Sequence, residues 1–245
     1  MEPRAPDEAS NDPPSDQGSR FFGGSTVVVG HRGDPARHPE NSLAGVMAGL
    51  AAVGRVEIDL RLTADGRLIL SHDPETAGRA IAESTWSMLA HSDAPTCLLD
   101  EVLAIPGHLD LELKNLPGEP GFDPEGRMAL MVASRARSSD ILTSFYWPDM
   151  DLIRRYAGGV PTGLLVGEGG SAPDALAHAV DRGHRAIVLH HSLIDGGLCR
   201  AASEACIEVM AWTVNSVDKA RELSGMGVTA IISDDPRSIY AGLRE

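Results

Sequence analysis

Cysteine and long apolar stretches are scarce in this chain. Its three cysteines, Cys97, Cys199 and Cys206, form neither a disulfide framework nor a zinc-binding pattern such as C-x-x-C, so we expect buried thiols. No uninterrupted apolar stretch approaches the roughly 18 residues of a membrane-spanning helix, and residues 1–20 lack the apolar region of a signal peptide. The sequence therefore predicts a cytoplasmic protein without a stable membrane anchor.

Positive charge is also scarce, since 21 lysines and arginines stand against 35 aspartates and glutamates and the formal net charge is −14. This balance argues against nucleic acid as a partner, because such binding depends on Lys and Arg that neutralise phosphates. It argues equally against an anionic membrane surface. An acidic protein that handles an anionic small molecule must supply positive charge locally, from a metal ion or from a few well-placed cations.

The chain divides into a short polar start and one long domain. Residues 1–24 are rich in Pro, Asp, Ser and Gly and carry almost no large apolar residue before Phe21 and Phe22, so we expect a disordered tail whose two phenylalanines could dock on the domain. Residues 25–245 suit a single α/β barrel, which typically has about 250 residues. The sequence gives no indication of the oligomeric state.

From residue 25 onward, short apolar runs alternate with segments of helical pattern, as is typical of βα repeats around a parallel sheet. The candidate strands are 26–30, 55–59, 67–71, 109–113, 141–145, 161–166, 186–190, 208–212 and 229–233. Helical patterns lie notably at 41–53, 125–137, 148–156, 172–182, 195–206 and 216–225. An eight-stranded TIM barrel needs one strand fewer than this.

The additional strand follows the second one too closely for a parallel connection, which needs a dozen or more residues. The short stretch from Thr63 to Gly66 instead predicts a turn, with Gly66 available for a left-handed conformation. We therefore expect an antiparallel hairpin after strand 2 of the barrel. A turn centred between positions 64 and 65 would place His72 opposite Glu57.

Charged residues alternate with apolar residues on two predicted strands. One face carries Glu57 and Asp59 on the first of these strands and Asp110, Glu112 and Lys114 on the second, while the other face of both strands is apolar. Carboxylates that share the interior of a barrel are costly without a partner. A divalent cation is the simplest partner for Glu57, Asp59 and Glu112, and an all-oxygen ligand set favours Mg²⁺ or Ca²⁺ over zinc.

Cationic residues and histidines accompany these carboxylates. Lys114 is one of only two lysines among the 21 basic residues, and a compact ammonium suits a phosphate or carboxylate site. His31 and Arg32 end the first predicted strand, where the active sites of barrels lie. Cleavage of a phosphodiester needs a base for the nucleophile and an acid for the leaving alkoxide, and His31 and His72 are the candidates.

These residues belong to a series of motifs that resembles the glycerophosphodiester phosphodiesterase family in order and spacing. The motifs are HRGDPARHPENS at 31–42, VEIDLRLTADGRLILSHD at 56–73, LELKN at 111–115, TSF at 143–145, AWTVNS at 211–216 and GVTAIISDDP at 227–236. The resemblance implies a TIM barrel, hydrolysis of glycerophosphodiesters and one divalent cation. It also implies site roles: His31 and His72 as the acid/base pair, Glu57, Asp59 and Glu112 as metal ligands, and Arg32, Lys114, Trp212 and Asn215 at the substrate.

Two departures from the family pattern concern the first motif and the segment after the hairpin. Ser42 stands where the family usually has Thr, and it is also positioned to cap the helix that begins near Leu43. The segment from Asp73 to Gly107 is short and lacks the family's usual Arg and Thr pattern, in a region that contacts the alcohol part of the substrate. The resemblance therefore implies the reaction type more firmly than the head group.

Two alternatives remain open at this point. A lysophospholipase D-like activity, as in the related sphingomyelinase D toxins, would need an apolar surface for an acyl chain at the barrel mouth. A catalytically silent barrel that only binds a phosphodiester would not need both histidines and all three carboxylates. The expected partner in each case is a small-molecule phosphodiester.

Overall fold

The computed structural model describes residues 21–91 and 96–245. The strands in these ranges are β1 Val27–Gly30, β2 Arg55–Leu62, β3 Leu68–Leu70, β4 Glu75–Thr76, β5 Arg79–Ala80, β6 His108–Leu113, β7 Ile141–Ser144, β8 Thr162–Val166, β9 Ala186–His190, β10 Glu208–Trp212 and β11 Ala230–Ser233. The α-helices are α1 Leu43–Val53, α2 Trp86–Ala90, α3 Leu99–Leu103, α4 Arg127–Ala133, α5 Trp147–Tyr156, α6 Ala172–Arg182, α7 Gly196–Glu204, α8 Val217–Met226 and α9 Pro236–Gly242. None of these helices is long and apolar enough to cross a lipid bilayer.

Eight strands form a closed parallel barrel. Their order around the barrel is β1, β11, β10, β9, β8, β7, β6 and β2, and β1 closes the ring by pairing with β2 through Gly30 and Val56. Each of the nine predicted strands is present, and the prediction of a TIM barrel with an additional hairpin is confirmed. The small β4–β5 ribbon and the helices α2, α3 and α9 were not predicted, because they are short and carry little periodic pattern.

The hairpin after strand 2 forms as expected, but its predicted register is wrong by one residue. β3 pairs antiparallel with the end of β2, with Leu60 opposite Leu70 and Leu62 opposite Leu68, so His72 does not lie opposite Glu57. The reason is the turn, which has three residues rather than two. The amide of Arg67 donates to the Thr63 hydroxyl, and Gly66 closes the loop with a φ of 74°.

The barrel strands separate two apolar layers. The outward-facing side chains of β2 and β6 pack against the surrounding helices, and these include Val56, Ile58 and Leu111. The inward-facing apolar residues form a second cluster inside the barrel, which includes Val29, Val188 and Met210. Glu57, Asp59, Asp110 and Glu112 have the inward parity, so the alternation read from the sequence describes the two faces correctly.

Helix α1 holds the loop after β1 close to the barrel. Ser42 caps it as expected, since its hydroxyl accepts a hydrogen bond from the amide of Gly45. A Cβ atom at Gly49 would lie 2.6 Å from the carbonyl oxygen of Gly33, so the helix approaches this loop at a distance that only glycine allows. The loop carrying His31 and Arg32 is thereby fixed from its outer side.

Phe21 and Phe22 pack against the N-terminal end of the barrel. Phe22 is buried beside Val29 and Met210, and the guanidinium carbon of Arg55 lies 5.2 Å from the centre of its ring. The amides of both phenylalanines donate to the Glu208 carboxylate. Phe21 and Phe22 of the predicted tail therefore contact the barrel. Residues 1–20 lie outside the part of the chain that the structure describes.

Replacement of Phe22 by Ala should lower the free energy of unfolding by roughly 3 kcal/mol, because it removes a buried ring and leaves a cavity at the barrel end. Urea unfolding followed by circular dichroism would measure the difference. Tyr156→Ala is the control, because that side chain is 62% exposed, and it should change stability by about 0.5 kcal/mol or less. Equal effects of the two substitutions would contradict the packing of Phe22 against the barrel.

Candidate active site

The charged side chains meet in a cavity of about 150 Å³ at the C-terminal ends of the barrel strands. Its lining includes eight polar or charged residues, which are His31, Arg32, Glu57, His72, Asp110, Glu112, Lys114 and Thr143. An apolar side of the same cavity is formed by Phe145, Leu165, Trp212 and Ile232. The position agrees with the general location of active sites in TIM barrels.

Three carboxylates converge beneath this cavity. One oxygen each of Glu57, Asp59 and Glu112 lies within 4.8 Å of the other two, and all three residues are buried. The ammonium of Lys114 lies 3.0 Å from Asp59 Oδ1 and 2.5 Å from Glu112 Oε1. Oε1 of Glu57 has no hydrogen-bond partner among the described residues. With all three carboxylates ionised, the cluster would have more negative charge than Lys114 and the nearby guanidinium of Arg32 balance.

The pKa values of the cluster reflect this imbalance. Burial, together with the charges of Asp59 and Glu112, raises the pKa of Glu57 well above its usual range. Burial and the charge of Asp59 raise the pKa of Glu112 to about 7, although Lys114 opposes the shift. Burial also acts to raise the pKa of Asp59, but Lys114 and Arg32 outweigh it and the pKa is lowered. Asp59 is therefore the carboxylate that stays ionised most readily.

Arg32 connects the loop after β1 to the carboxylates on β2. Its backbone has a φ of 53°, and its amide donates to Glu57 Oε2 at 2.9 Å. The guanidinium Nε lies 3.2 Å from Asp59 Oδ2, while Nη1 donates to both oxygens of Glu40 at 3.0 and 2.9 Å. The guanidinium therefore lies at the edge of the cavity with a fixed orientation, as the site of an anion requires.

His31 is held by a carboxylate on the opposite side from the cavity. Its Nδ1 lies 2.6 Å from Asp234 Oδ1, and its Nε2 lies 4.0 Å from Glu57 Oε2. An ionised carboxylate can only accept a hydrogen bond, so Nδ1 is assigned as the donor to Asp234, and Nε2 is the ring nitrogen that lies near Glu57. Asn215 donates to the other oxygen of Asp234 at 2.6 Å. Asn215 therefore supports the partner of His31.

His72 reaches the cavity from the hairpin. The strand β3 ends at Leu70, and the Arg61 guanidinium donates to the carbonyl oxygen of His72 at 2.9 and 2.6 Å. The Nδ1 atom of His72 lies 2.9 Å from Asp73 Oδ1. Although the predicted register was wrong, the structure still brings His72 and the carboxylates to one cavity, because Arg61 fixes the backbone beyond the strand.

Two residues that support this site were not identified from the sequence. Asn41 donates to Asp59 Oδ2 at 2.8 Å and accepts from the Asp59 amide at 3.1 Å, with a φ of 51°. Arg61 is buried and pairs with Glu119 at 2.8 Å in addition to holding His72. The inward parity that Arg61 shares with Glu57 and Asp59 was a signal that could have revealed it. Nothing local distinguishes Asn41 from a helix-capping residue.

Asp110 lies in the same row as Glu112, on the inner face of β6. Its Oδ1 accepts a hydrogen bond from the hydroxyl of Thr143 at 2.6 Å, whereas Oδ2 has no partner within the described ranges. Burial raises the pKa of Asp110 to about 8. This shift favours the protonated form of Asp110 at neutral pH.

Trp212 contributes to the apolar side of the cavity, at the end of β10. Its indole nitrogen donates to the carbonyl oxygen of Val188 at 3.2 Å, and its ring meets that of Phe145 edge to face at 5.6 Å. The ammonium of Lys114 lies 5.9 Å from the centre of the Phe145 ring. The cavity therefore combines an ionic side with a smaller aromatic side.

The carboxylate cluster fits a hard divalent cation. Glu57, Asp59 and Glu112 offer only oxygen atoms, which Mg²⁺ and Ca²⁺ prefer. The unpartnered Glu57 Oε1 and the raised pKa values of Glu57 and Glu112 show that positive charge would be accommodated there. A cation bound there would lie beside two histidines and an arginine, which is a set of groups suited to an anionic ester.

The chain is a closed (β/α)₈ barrel with a charged cavity at its mouth that suits an anionic ester. Residues 31–238 match the model of the glycerophosphoryl diester phosphodiesterase family. The chain is 27% identical to a glycerophosphodiester phosphodiesterase of Caldanaerobacter subterraneus over 90% of its own length and 98% of the relative's length. The chain belongs to the glycerophosphoryl diester phosphodiesterase family and is a phosphoric diester hydrolase.

Solved structures share the fold. An Oleispira antarctica phosphodiesterase in complex with the product sn-glycerol-3-phosphate matches 90% of this chain and 98% of its own, with a TM-score of 0.79 and 22% identity. A glycerophosphodiester phosphodiesterase from Thermotoga maritima matches 89% of this chain and 98% of its own, with a TM-score of 0.73 and 24% identity. These likenesses confirm the barrel architecture.

Replacement of Asp110 by Asn should change the pH dependence of stability. Asp110 keeps its proton up to about pH 8 in the folded protein, whereas an unfolded Asp ionises near about pH 4. Between these values the unfolded state binds fewer protons, so the free energy of unfolding of the unsubstituted protein falls as the pH rises. The Asn variant does not titrate, and its advantage should grow to the order of a few kcal/mol by about pH 8.

Urea unfolding at a series of pH values, with chelator present, measures this difference. Asp181→Asn is the matched control, because Asp181 is an exposed side chain of α6 beside Arg182. A difference between Asp110→Asn and the unsubstituted protein that stays constant across the pH range would contradict the assignment.

Proposed function

We propose that the protein hydrolyses glycerophosphodiesters to glycerol 3-phosphate and an alcohol in a metal-dependent reaction with a histidine pair as acid and base. The observation that carries this proposal is the convergence of His31, His72 and the carboxylates on one cavity at the barrel mouth. Family membership supports the reaction class. The proposed catalytic domain comprises residues 25–245, preceded by the tail at 1–24, and its location in the cytoplasm remains a prediction of the sequence.

Glu57, Asp59 and Glu112 are the proposed ligands of one divalent cation, either Mg²⁺ or Ca²⁺. Their shared oxygen chemistry and the unpartnered Glu57 Oε1 support this role. When bound, such a cation supplies positive charge that polarises a phosphate oxygen. Lys114 balances part of the negative charge of Asp59 and Glu112 through its ion pairs, and it supports phosphate binding from the same side.

Arg32 is the proposed phosphate-binding guanidinium. Its position is fixed by Glu40 and Asp59, and its side chain is 18% exposed beside the cavity. The charge that develops on the phosphate during hydrolysis is greatest when the attacking and leaving oxygens are both partly bonded, and a preorganised donor stabilises it without reorientation. Arg32 therefore contributes to the reaction as well as to binding.

His31 and His72 are the proposed proton carriers. Asp234 holds the His31 ring by Nδ1, which leaves Nε2 free to accept or return a proton at the cavity. His72 is more exposed and is held through its carbonyl oxygen and through Asp73. One of the pair takes the proton of the nucleophile and the other supplies a proton to the leaving alkoxide.

The sequence placed both Trp212 and Asn215 at the substrate, and of these two Trp212 lines the cavity. Trp212 forms part of the cavity wall, where it meets Phe145. Asn215 acts through Asp234, with which it exchanges two hydrogen bonds at 2.6 and 2.9 Å. The glycerol 3-phosphate product bound by the Oleispira antarctica relative supports a glycerol phosphate moiety as the part of the substrate that this cavity holds.

Turnover of a panel of substrates tests the proposed reaction. The protein should release glycerol 3-phosphate from glycerophosphocholine or glycerophosphoethanolamine with Mg²⁺ or Ca²⁺ present, and chelator should abolish the release. Enzymatic detection of glycerol 3-phosphate measures it. Cleavage of lysophosphatidylcholine alone would favour the lysophospholipase D-like alternative, and binding without turnover of any ester would favour the silent barrel. Activity that survives chelation would contradict the metal role.

His31→Ala and His72→Ala should each lower kcat by about two powers of ten or more, because each variant loses a proton transfer in the transition state. Steady-state kinetics with the best substrate of the panel measures the change. His91→Ala is the matched control, since this exposed histidine bonds only to the carbonyl oxygen of Ser87 among the contacts described. Near-normal rates in both test variants would remove the pair from the mechanism.

A further inference from the structure

A second group of potential metal ligands lies on the outer side of the barrel. It consists of Asp151 on α5, His178 on α6 and His184, which follows α6. His184 contacts Thr162, the first residue of β8, so the group lies towards the N-terminal ends of the strands. The candidate active site occupies their C-terminal ends. The two groups therefore do not share a residue or an end of the barrel.

The three side chains converge on one point. Nε2 of His178 lies 2.9 Å from Asp151 Oδ1, and Nε2 of His184 lies 3.0 Å from the same oxygen. The three ligand atoms are mutually within 4.8 Å, and the two imidazole rings are stacked at 5.7 Å with an angle of 8° between their planes. Small shifts of these side chains would give a cation the bond lengths of about 2.0–2.2 Å that zinc requires.

The second ring nitrogen of His184 has a partner of its own. Nδ1 lies 2.8 Å from the hydroxyl oxygen of Thr162, and both side chains are buried. Histidines that bind metals are usually oriented by a hydrogen bond at the other ring nitrogen. In the metal-bound state Nδ1–H would donate to Thr162, which leaves the lone pair of Nε2 directed at the metal position. His178 is oriented by its contact with the Trp147 ring at 5.2 Å.

The group is buried on one side and open to solvent on the other. His184 is 3% exposed. The side chains of His178 and Asp151 are 28% and 29% exposed, which gives a metal ion and a water ligand access from solvent.

We propose that Asp151, His178 and His184 form a binding site for a divalent transition metal, with Zn²⁺ as the representative ion. Two imidazoles and one carboxylate suit zinc, whereas Mg²⁺ and Ca²⁺ prefer oxygen ligands alone. In the metal-bound state each imidazole would carry its single proton on Nδ1 and direct the Nε2 lone pair at the metal, in place of the present hydrogen bond to Asp151. The metal would then link α5 to α6. The site is independent of the proposed reaction, because none of its residues lines the catalytic cavity.

Zinc titration of the whole chain in the presence of millimolar Mg²⁺ tests the proposal. Isothermal titration calorimetry should show a Zn²⁺ site in the unsubstituted protein that is lost in His178→Ala and in Asp151→Asn. The His91→Ala control and a Glu57→Gln variant should keep it. His178 lies partly exposed on a helix, where Ala is favourable, so this variant should fold, and circular dichroism checks it.

Cobalt provides a second and spectroscopic readout. Co²⁺ should give visible absorption bands of a four-coordinate site in the unsubstituted protein, and Zn²⁺ should abolish them by displacement. Thr162→Val should weaken Zn²⁺ binding by about 10- to 100-fold while leaving the three ligands in place. Identical Zn²⁺ isotherms in the unsubstituted protein, His178→Ala and Asp151→Asn would overturn the proposal and leave the cluster as a hydrogen-bonded link between α5 and α6.

Discussion

The carboxylate of Asp59 is the interaction centre on which the barrel mouth depends. It contacts the ammonium of Lys114, which follows β6, the guanidinium of Arg32 in the loop after β1, and the side-chain amide of Asn41, which precedes the N-cap of α1. An ionised carboxylate that is 1% exposed persists in a barrel interior only with such partners. One buried charge therefore contacts three separate parts of the chain. Glu57 and Glu112 lie beside it, with ligand atoms within 4.8 Å.

Strand parity carried most of what the sequence could predict. Because side chains on a strand alternate between two faces, the positions of Glu57, Asp59 and Glu112 implied a shared interior surface before any contact was known. The βα alternation likewise led to the barrel. Both inferences rest on local regularities, which survive folding because the sheet preserves the alternation along each strand.

Contacts between distant segments were beyond such reasoning. The register of the hairpin depended on whether its turn has two or three residues, and a shift by one residue follows from that choice. The link between Asn41 and Asp59, and the hold of Arg61 on the His72 carbonyl, arise only once the barrel has closed. Asp151 lies on α5, whereas His178 and His184 lie on and just after α6, so no motif spacing in the sequence joins the three.

The barrel closes between β1 and β2, next to the residues of the candidate active site. Only one residue pair, Gly30 with Val56, joins β1 to β2, whereas six pairs join β2 to β6. The contacts of Arg32 with Glu57 and Asp59 span that same gap just beyond the ladder. The strand pair with the fewest ladder partners is therefore β1–β2. The residue after β1 is His31, and β2 carries Glu57 and Asp59. A ligand that contacts residues on both strands would add contacts across the strand pair that has the fewest ladder partners, and we expect its binding to stabilise the closed barrel.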